Sequence, residues 1–406
     1  LAATIIFYFL ILQTMARVVI GLSGGVDSSV AAYLLKEQGH HVIALFMVNW
    51  HERVGNITSA CTWEEDALIA KMVAKKLDLP FHIVDLSVDY KKRVVDYMFA
   101  EYQAGRTPNP DVLCNREIKF DSFLEEALKF DADFVATGHY CRKSEIDVDG
   151  RTIHRLLAGK DPNKDQSYFL CQLNQQQLSK AMFPIGELLK PEVRKIAKEQ
   201  NLPTAERKDS QGICFVGKVD LPTFLQQKLQ PKTGNIIEIP AAFMEKKKQI
   251  EVSEENYRKL CFPYPYKPWN GAVIGEHQGA HFYTIGQRKG LNIGGHKEPL
   301  FVLATDVQRN VIYVGEGQNN PGLYRKGLFI ASNEIHWIRT DMKMLPGEKH
   351  GFDIRIRYRQ PLEKGTIHIK EDGAWVIFED EQRGITSGQF AAWYLGNELI
   401  GSGVIA

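Results

Sequence analysis

The chain contains no CxxC pair, although it carries six cysteines in 406 residues. That excludes a zinc knuckle, an iron–sulfur cluster on a local motif and a secreted disulfide framework. A reducing, cytoplasmic setting is the expectation. An excess of charge of one sign is also lacking: 50 Lys and Arg against 49 Asp and Glu leave a formal net charge of +1. Bulk charge therefore announces no nucleic-acid partner, and any basic surface must be local. Ile5 to Leu12 is greasy but too short to span a bilayer. It also lacks the charged start and cleavage site of a signal peptide, so no membrane partner is expected. Met15 opens MARVVIGLSGG, a natural beginning for a first strand. Residues 1–14 are expected to be a dispensable extension.

The most informative absence is a lysine. Residues 17–38 read RVVIGLSGGVDSSVAAYLLKEQ, an apolar strand, a Gly/Ser loop and a helical pattern. The order is that of a phosphate-binding turn, yet a Walker loop would use a lysine on the β- and γ-phosphates. Gly24 and Gly25 allow a sharp turn and close backbone approach to a phosphate. Ser23, Ser28 and Ser29 offer hydroxyls, and successive N–H groups can form an anion nest. Asp27 could hold Mg²⁺ bridging phosphates. The bland reading is a capped glycine turn, common at strand–helix junctions.

Elsewhere strand and helix patterns alternate to about Gln211. Strands are predicted at 17–22, 41–48, 81–86 and 133–137. Helices are predicted at 26–38, 63–77, 89–103, 117–130, 175–182 and 191–200. Alternation of this kind favours a doubly wound parallel sheet, an α/β fold with ligands at the carboxyl ends of its strands. The first domain is expected over 15–218. Beyond it, short alternating runs such as FVLATDV, NVIYVGEG, DIRIRYR, GTIHIK and AWVIFED suggest small β-barrels. A small central domain is placed at 219–298 and a C-terminal β-barrel at 299–406. Residues 241–270, with Glu245-Lys246-Lys247-Lys248 and FPYPYKPW, read as a linker or surface insertion.

Two cysteines stand in polar motifs. AGRTPNPDVLCNREIKF, residues 104–120, has a rigid turn, Asp111, Cys114 and Arg116. A cysteine at a helix start beside an arginine can be a thiolate, and its polar neighbours argue against burial. ERKDSQGICFVG, residues 206–217, carries Cys214 in a short apolar run.

SGGVDS after a first strand resembles the loop of the N-type ATP pyrophosphatases (the PP-loop superfamily, with its adenine nucleotide alpha hydrolase-like domain). Those enzymes split ATP into AMP and pyrophosphate, which accounts for the missing lysine. GLSGGVDSSVAA, GRTPNPDVLCNREIKF, ATGHY, DPNKDQSYFL, KDSQGICFVG, HFYTIGQRKGL, RYRQP and ITSGQFAAWY follow one another from Met15 to the C terminus. Together they resemble the bacterial tRNA-specific 2-thiouridylases, the MnmA family. Residues 1–14 and 241–270 depart from its pattern.

The resemblance implies a tRNA-uridine 2-sulfurtransferase using ATP and Mg²⁺ on the wobble uridine of tRNAs such as those for Lys, Glu and Gln. Its sulfur would come from a sulfur-carrier protein or cysteine desulfurase. Gly21, Leu22, Ser23, Gly24, Gly25, Val26, Asp27 and Ser28 would form the ATP loop, with Met47 and Gly138 as further nucleotide contacts. Asn109, Pro110 and Asp111 would meet the target base. Cys114 would be the nucleophile and Cys214 the persulfide carrier. His139, Lys164, Asp165, Gln166, Arg357, Tyr358 and Gln389 would contact tRNA. Arg355 and Arg359 are equally readable as a solvated strand face. Two rivals stay open: another PP-loop ligase or amidotransferase, and a degenerate RNA-binding protein.

Overall fold

The computed structural model describes residues 15–51, 63–208, 221–226, 228–245 and 250–406. Residues 1–14, Cys61, Lys246–Lys248 and Cys214 with its neighbours at 209–220 lie outside the described residues.

The N-terminal half contributes strands β1 (Arg17–Gly21), β2 (His41–Val48), β3 (Phe81–Asp85), β4 (Phe134–Ala136), a hairpin β5 (Cys141–Val148) and β6 (Arg151–Ala158), and β7 (Ala181–Met182). Five of them form a parallel sheet in the order β3-β2-β1-β4-β7. Val18, Val19 and Ile20 are each 0% exposed, as expected for a strand covered on both faces by helices. The helix Val26–Glu37 buries Val30, Ala31 and Leu35 on this sheet. The other expected helices are present, but two are interrupted by π-helical stretches, Lys91–Val95 and Cys114–Ser122. The helix at Gln175 stops at Lys180 because Ala181–Met182 pair with β4 instead.

A second sheet has the order β10-β11-β8-β9, with β8 at Gly234–Glu238, β9 at Ala272–His277, β10 at Leu300–Asp306 and β11 at Val311–Glu316. The boundary expected at 298/299 would cut this sheet in two. The change of barrel falls instead between Glu316 and the next strand. That strand is β12 (Tyr324–Ala331), followed by β13 (Ile335–Trp337), β14 (Lys349–Arg355), β15 (Glu363–Lys370), β16 (Gly373–Arg383), β17 (Phe390–Leu395) and β18 (Glu398–Val404). They form an antiparallel sheet that the hairpin β5–β6 extends, through Leu156↔Leu399 and Leu157↔Glu398. A hairpin from the first domain thus completes the last one.

Within 241–270 the chain is not a loose linker. The helix Tyr257–Cys261 buries Tyr257, Leu260 and Cys261 against Trp375 and Ile377 of the C-terminal barrel. A few residues on, Tyr266 enters the core of the central barrel beside Tyr313. The segment therefore straps one barrel to the other.

Candidate active site

The SGGVDS loop, expected to receive ATP, sits at the carboxyl end of β1. Gly24 has φ +74°, and a Cβ there would come within 2.7 Å of the Asp66 carbonyl, so this position requires glycine. Gly25 caps the following helix without any side-chain hydrogen bond, leaving first-turn N–H groups for an anion. Gly138 closes the other side: a Cβ there would lie 2.6 Å from the Ser28 nitrogen. Met47 is buried, and its Cε lies 3.3 Å from where a Gly21 Cβ would stand. The expected nucleotide residues therefore converge where β1, β2 and β4 end, a cradle that a nucleotide's phosphates fit. Leu22 and Val26 are buried and support the loop from below. The hydroxyls are partly spent: Ser28 Oγ donates to the Gly25 carbonyl at 3.1 Å. Ser29, 0% exposed, donates to the same carbonyl at 2.8 Å, so it cannot reach a ligand.

Asp27 is not an open metal ligand. The Lys190 ammonium takes both its oxygens, at 2.7 and 2.9 Å, and the Tyr140 hydroxyl donates to Oδ1 at 2.7 Å. The Mg²⁺ role expected of Asp27 would compete with Lys190, which already matches its charge. Lys190 opens the helix Lys190–Glu199, and its backbone N–H donates to Asp161 Oδ2 at 2.9 Å. A lysine absent from the loop itself thus lies against it, held by Asp27. Arg207 adds a second cation, donating to the Gly24 carbonyl at 2.7 Å and pairing with Asp66. Sequence reasoning missed both. The only signals were a lysine leading a helix and an arginine at the start of the Cys214 motif.

Cys114 lies at the start of the π-helical stretch Cys114–Ser122, whose Phe120 and continuing Phe123 reach His139 and Gly21. Contrary to expectation it is 0% exposed, inside the main apolar core with Val112, Leu113 and Ile118. Its polar neighbours look elsewhere. Arg116 donates to Glu117 at 2.7 Å and Gln172 at 2.9 Å, and Asn115 Nδ2 donates to the Phe169 carbonyl at 3.0 Å. Helical periodicity places Cys114 on the inner face and its charged neighbours on the outer one.

The turn before Cys114 is held by the C-terminal barrel. Gln389 Nε2 donates to the carbonyls of Thr107 (2.8 Å) and Pro108 (3.1 Å). The Asn109 amide donates back to Gln389 Oε1 at 3.4 Å, while Asn109 Oδ1 caps Val112 N at 3.3 Å. Thr107 N donates to the Ser387 carbonyl at 2.8 Å, and its hydroxyl lies 3.1 Å from that of Thr284 in the central domain. Pro110 and Asp111 are half-exposed beside this junction. Two motifs far apart in sequence, RTPNP and ITSGQ, form one interface.

The remaining expected RNA contacts divide. Arg357 is exposed and Lys164 half-exposed. Tyr358 packs on Phe169 with ring centroids 4.4 Å apart. Asp165 spends Oδ1 on the N–H groups of Gly159 and Ser167 and pairs through Oδ2 with Arg355 at 3.0 Å. Arg355 is therefore half-buried in an ion pair with Asp165 rather than on a solvated strand face. Gln166 Oε1 accepts from Tyr140 N at 3.0 Å. His139 is buried and lies 2.7 Å from the Thr137 hydroxyl. Burial, with the Lys119 charge nearby, holds its pKa well below the ordinary 6.5, so the ring is neutral.

Among known families, residues 16–218 match the tRNA methyl transferase HUP domain, 265–316 its PRC-barrel domain, and 328–405 the aminomethyltransferase beta-barrel domain. The tRNA-specific 2-thiouridylase MnmA of Flavobacterium johnsoniae is 60% identical over 399 residues, covering 97% of this chain and 100% of the relative. That of Bacillus subtilis is 44% identical over 390 residues, covering 96% and 94%. Among solved structures, a 4-thiouridine synthetase–RNA complex with bound ATP aligns over 52% of this chain and 50% of its own, at 17% identity and a TM-score of 0.30. On identity and coverage along nearly its whole length, the chain belongs to the tRNA-specific 2-thiouridylase family.

Proposed function

We propose that the chain is a tRNA-uridine 2-sulfurtransferase, making 2-thiouridine, AMP and diphosphate from the wobble uridine of tRNA. The carrying observation is 60% identity to a tRNA-specific 2-thiouridylase over 97% of the chain, in which SGGVDS stands at the carboxyl end of β1 and Cys114 in a turn of the same domain. The uracil C2 oxygen is a poor leaving group, and ATP supplies the adenylyl group that makes it a good one. The Ser23–Ser28 backbone, the helix N-terminus and Lys190 favour the negative charge of the departing pyrophosphate. Mg²⁺ bound with the nucleotide would supply further positive charge for the pyrophosphate, beside that of Lys190 and the helix N-terminus.

Sulfur arrives as a persulfide on Cys214 from a sulfur-carrier protein or desulfurase. In one route its terminal sulfur attacks C2 and expels AMP. Cys114 then attacks Cys214 Sγ, freeing the thiouridine and leaving a Cys114–Cys214 disulfide for an external thiol to reduce. In the other, Cys114 first releases hydrosulfide, which attacks C2. Both routes need the Cys114 thiol uncovered, and so a movement of the turn at 107–113. The base must also leave the anticodon stack.

Incubating the protein with unmodified tRNA (Lys, Glu or Gln), ATP, Mg²⁺ and a persulfide donor should yield 2-thiouridine and AMP. ADP as the product, or dependence on ammonia, would favour the ligase rival. Cys114→Ser should still accept labelled sulfur from the donor but lose thiolated tRNA about a thousandfold or more. Cys214→Ser should accept no persulfide label. Normal turnover by Cys114→Ser would sink the two-cysteine reading.

A further inference from the structure

A cavity of about 410 Å³ opens where three domains meet. Thr107 of the cysteine turn forms one wall, Ser387 of the C-terminal barrel another, and the β10–β11 turn with Arg309 a third. The fourth wall is Tyr264–Lys267, from the strap at 241–270 that departs from the family pattern. Nothing in the mechanism above uses this space.

Its chemistry is specific. Tyr264 is 38% exposed, yet its ring is fixed by Phe243 at 5.4 Å, edge to face, and by Tyr266 at 5.1 Å. A rigid, half-open aromatic face is a stacking platform. Arg309 is already paired with Asp306 at 2.8 Å. Lys267 is different: it makes no ion pair among the described residues, while its own N–H is tied to Asn270 at 2.7 Å. An aromatic plane beside an ammonium without an ion pair among the described residues suits a base and its phosphate, while the Thr107 and Ser387 hydroxyls on the facing wall are engaged with Thr284 and the Ala406 carbonyl. The volume suits one nucleotide.

The position favours the RNA over other occupants. Thr107 lies two residues before Asn109, at the turn assigned above to the target base, so the cavity continues that surface. Flipping one base out also unstacks its neighbours, and a displaced neighbour needs a new partner.

We infer that this cavity binds a second, unstacked nucleotide of the RNA substrate, flanking the target uridine, with Tyr264 stacking on its base and Lys267 meeting its phosphate. The inference rests on the proposed function.

The test is the affinity of the full chain for an unmodified tRNA transcript at fixed salt, for the wild type and for Tyr264→Ala, Tyr264→Phe and Lys267→Ala. Tyr264→Ala should bind about 5- to 100-fold more weakly, the range for one base on one ring. Tyr264→Phe should bind as the wild type does. Lys267→Ala should lower both affinity and its salt dependence. AMP formation at saturating tRNA should be unchanged in all three. An iodouridine placed beside the target position should crosslink to the wild type and not to Tyr264→Ala. Wild-type affinity in Tyr264→Ala, with the crosslink retained, would overturn the inference. So would weaker sulfur transfer from the donor protein with RNA binding intact, which would make the cavity a protein-docking site. If the wild type itself makes no 2-thiouridine, it is the proposed function that fails, and the binding series is read separately.

Discussion

Around Asp27 the contacts are polar, and all come from the parallel-sheet domain: Lys190, Tyr140 and, through Gly24, Arg207. Around Cys114 the walls are apolar, and the turn in front is held by Gln389 and Ser387 from one barrel and Thr284 from another. The end proposed for the nucleotide is thus pre-assembled, with Lys190 and Arg207 in place and its helix N-terminus without a side-chain cap. The Cys114 end, proposed for the sulfur, is closed, and the turn in front of it is tied to both barrels. An enzyme that activates a base before committing sulfur gains from this asymmetry, because a shielded thiol cannot meet a persulfide prematurely.

The strongest way to break the comparison is at the nucleotide end. Asp27→Ala and Lys190→Ala should each lower AMP formation about a hundredfold or more. Binding of tRNA should stay within about twofold, because neither side chain belongs to the cysteine turn. Equal loss of both activities, measured by pyrophosphate release and filter binding, would mean that the ends are not separable.

A smaller effect should appear at the other end. Gln389→Ala removes three hydrogen bonds with the turn, two donated to Thr107 and Pro108 and one accepted from Asn109, each contributing about 1 kcal/mol. If Gln389 positions the turn, kcat should fall about tenfold with little change in affinity for tRNA. Cys114 should also be alkylated faster by iodoacetamide. A rise in Kd with kcat intact would make Gln389 a direct RNA contact, as the family resemblance implies.

The smallest effect concerns His139, which lies between the ends. Its folded pKa is below the unfolded value of 6.5, so the unfolded chain binds the proton first. The stability from keeping it neutral is complete above 6.5 and is lost as pH falls below that. One pH unit below, the loss is roughly 1 kcal/mol. His139→Asn should flatten this acid limb in thermal melts between about pH 7 and 5. An unchanged slope would show that another group carries it.

Much of this architecture is legible along the chain, and the reasons are local. Val18, Val19 and Ile20 form a continuous apolar run because a central parallel strand is covered on both faces. Gly24 stands where the backbone must turn left-handed. SGGVDS therefore marks its own place at a strand's end before any tertiary contact is known. The short alternating runs after Gly279 likewise announce β-structure, most plainly in β14 and β15, where buried and more open positions alternate, whereas β11, β17 and β18 are buried on both faces. The polar neighbours of Cys114 do not report its burial: Asn115 is itself buried with its amide donating to the Phe169 carbonyl, and Arg116 turns outward to Glu117 and Gln172.

Other features depend on distance in sequence, where no local pattern reports. Lys190 reaches Asp27 across 163 residues, and Gln389 reaches Thr107 across 282. The hairpin β5–β6 carries no strong alternation and finds its place only on the edge of β18. The strap at 241–270 resembles a linker because its buried residues, Cys261 and Tyr266, serve two different cores. The strand–loop–helix proposed to receive the nucleotide follows from sterics and hydrogen bonding between neighbours in the chain. Which cation lies against Asp27, and which domains close over Cys114, follow from the folded arrangement alone. Those choices depend on packing surfaces that exist only once the chain has folded.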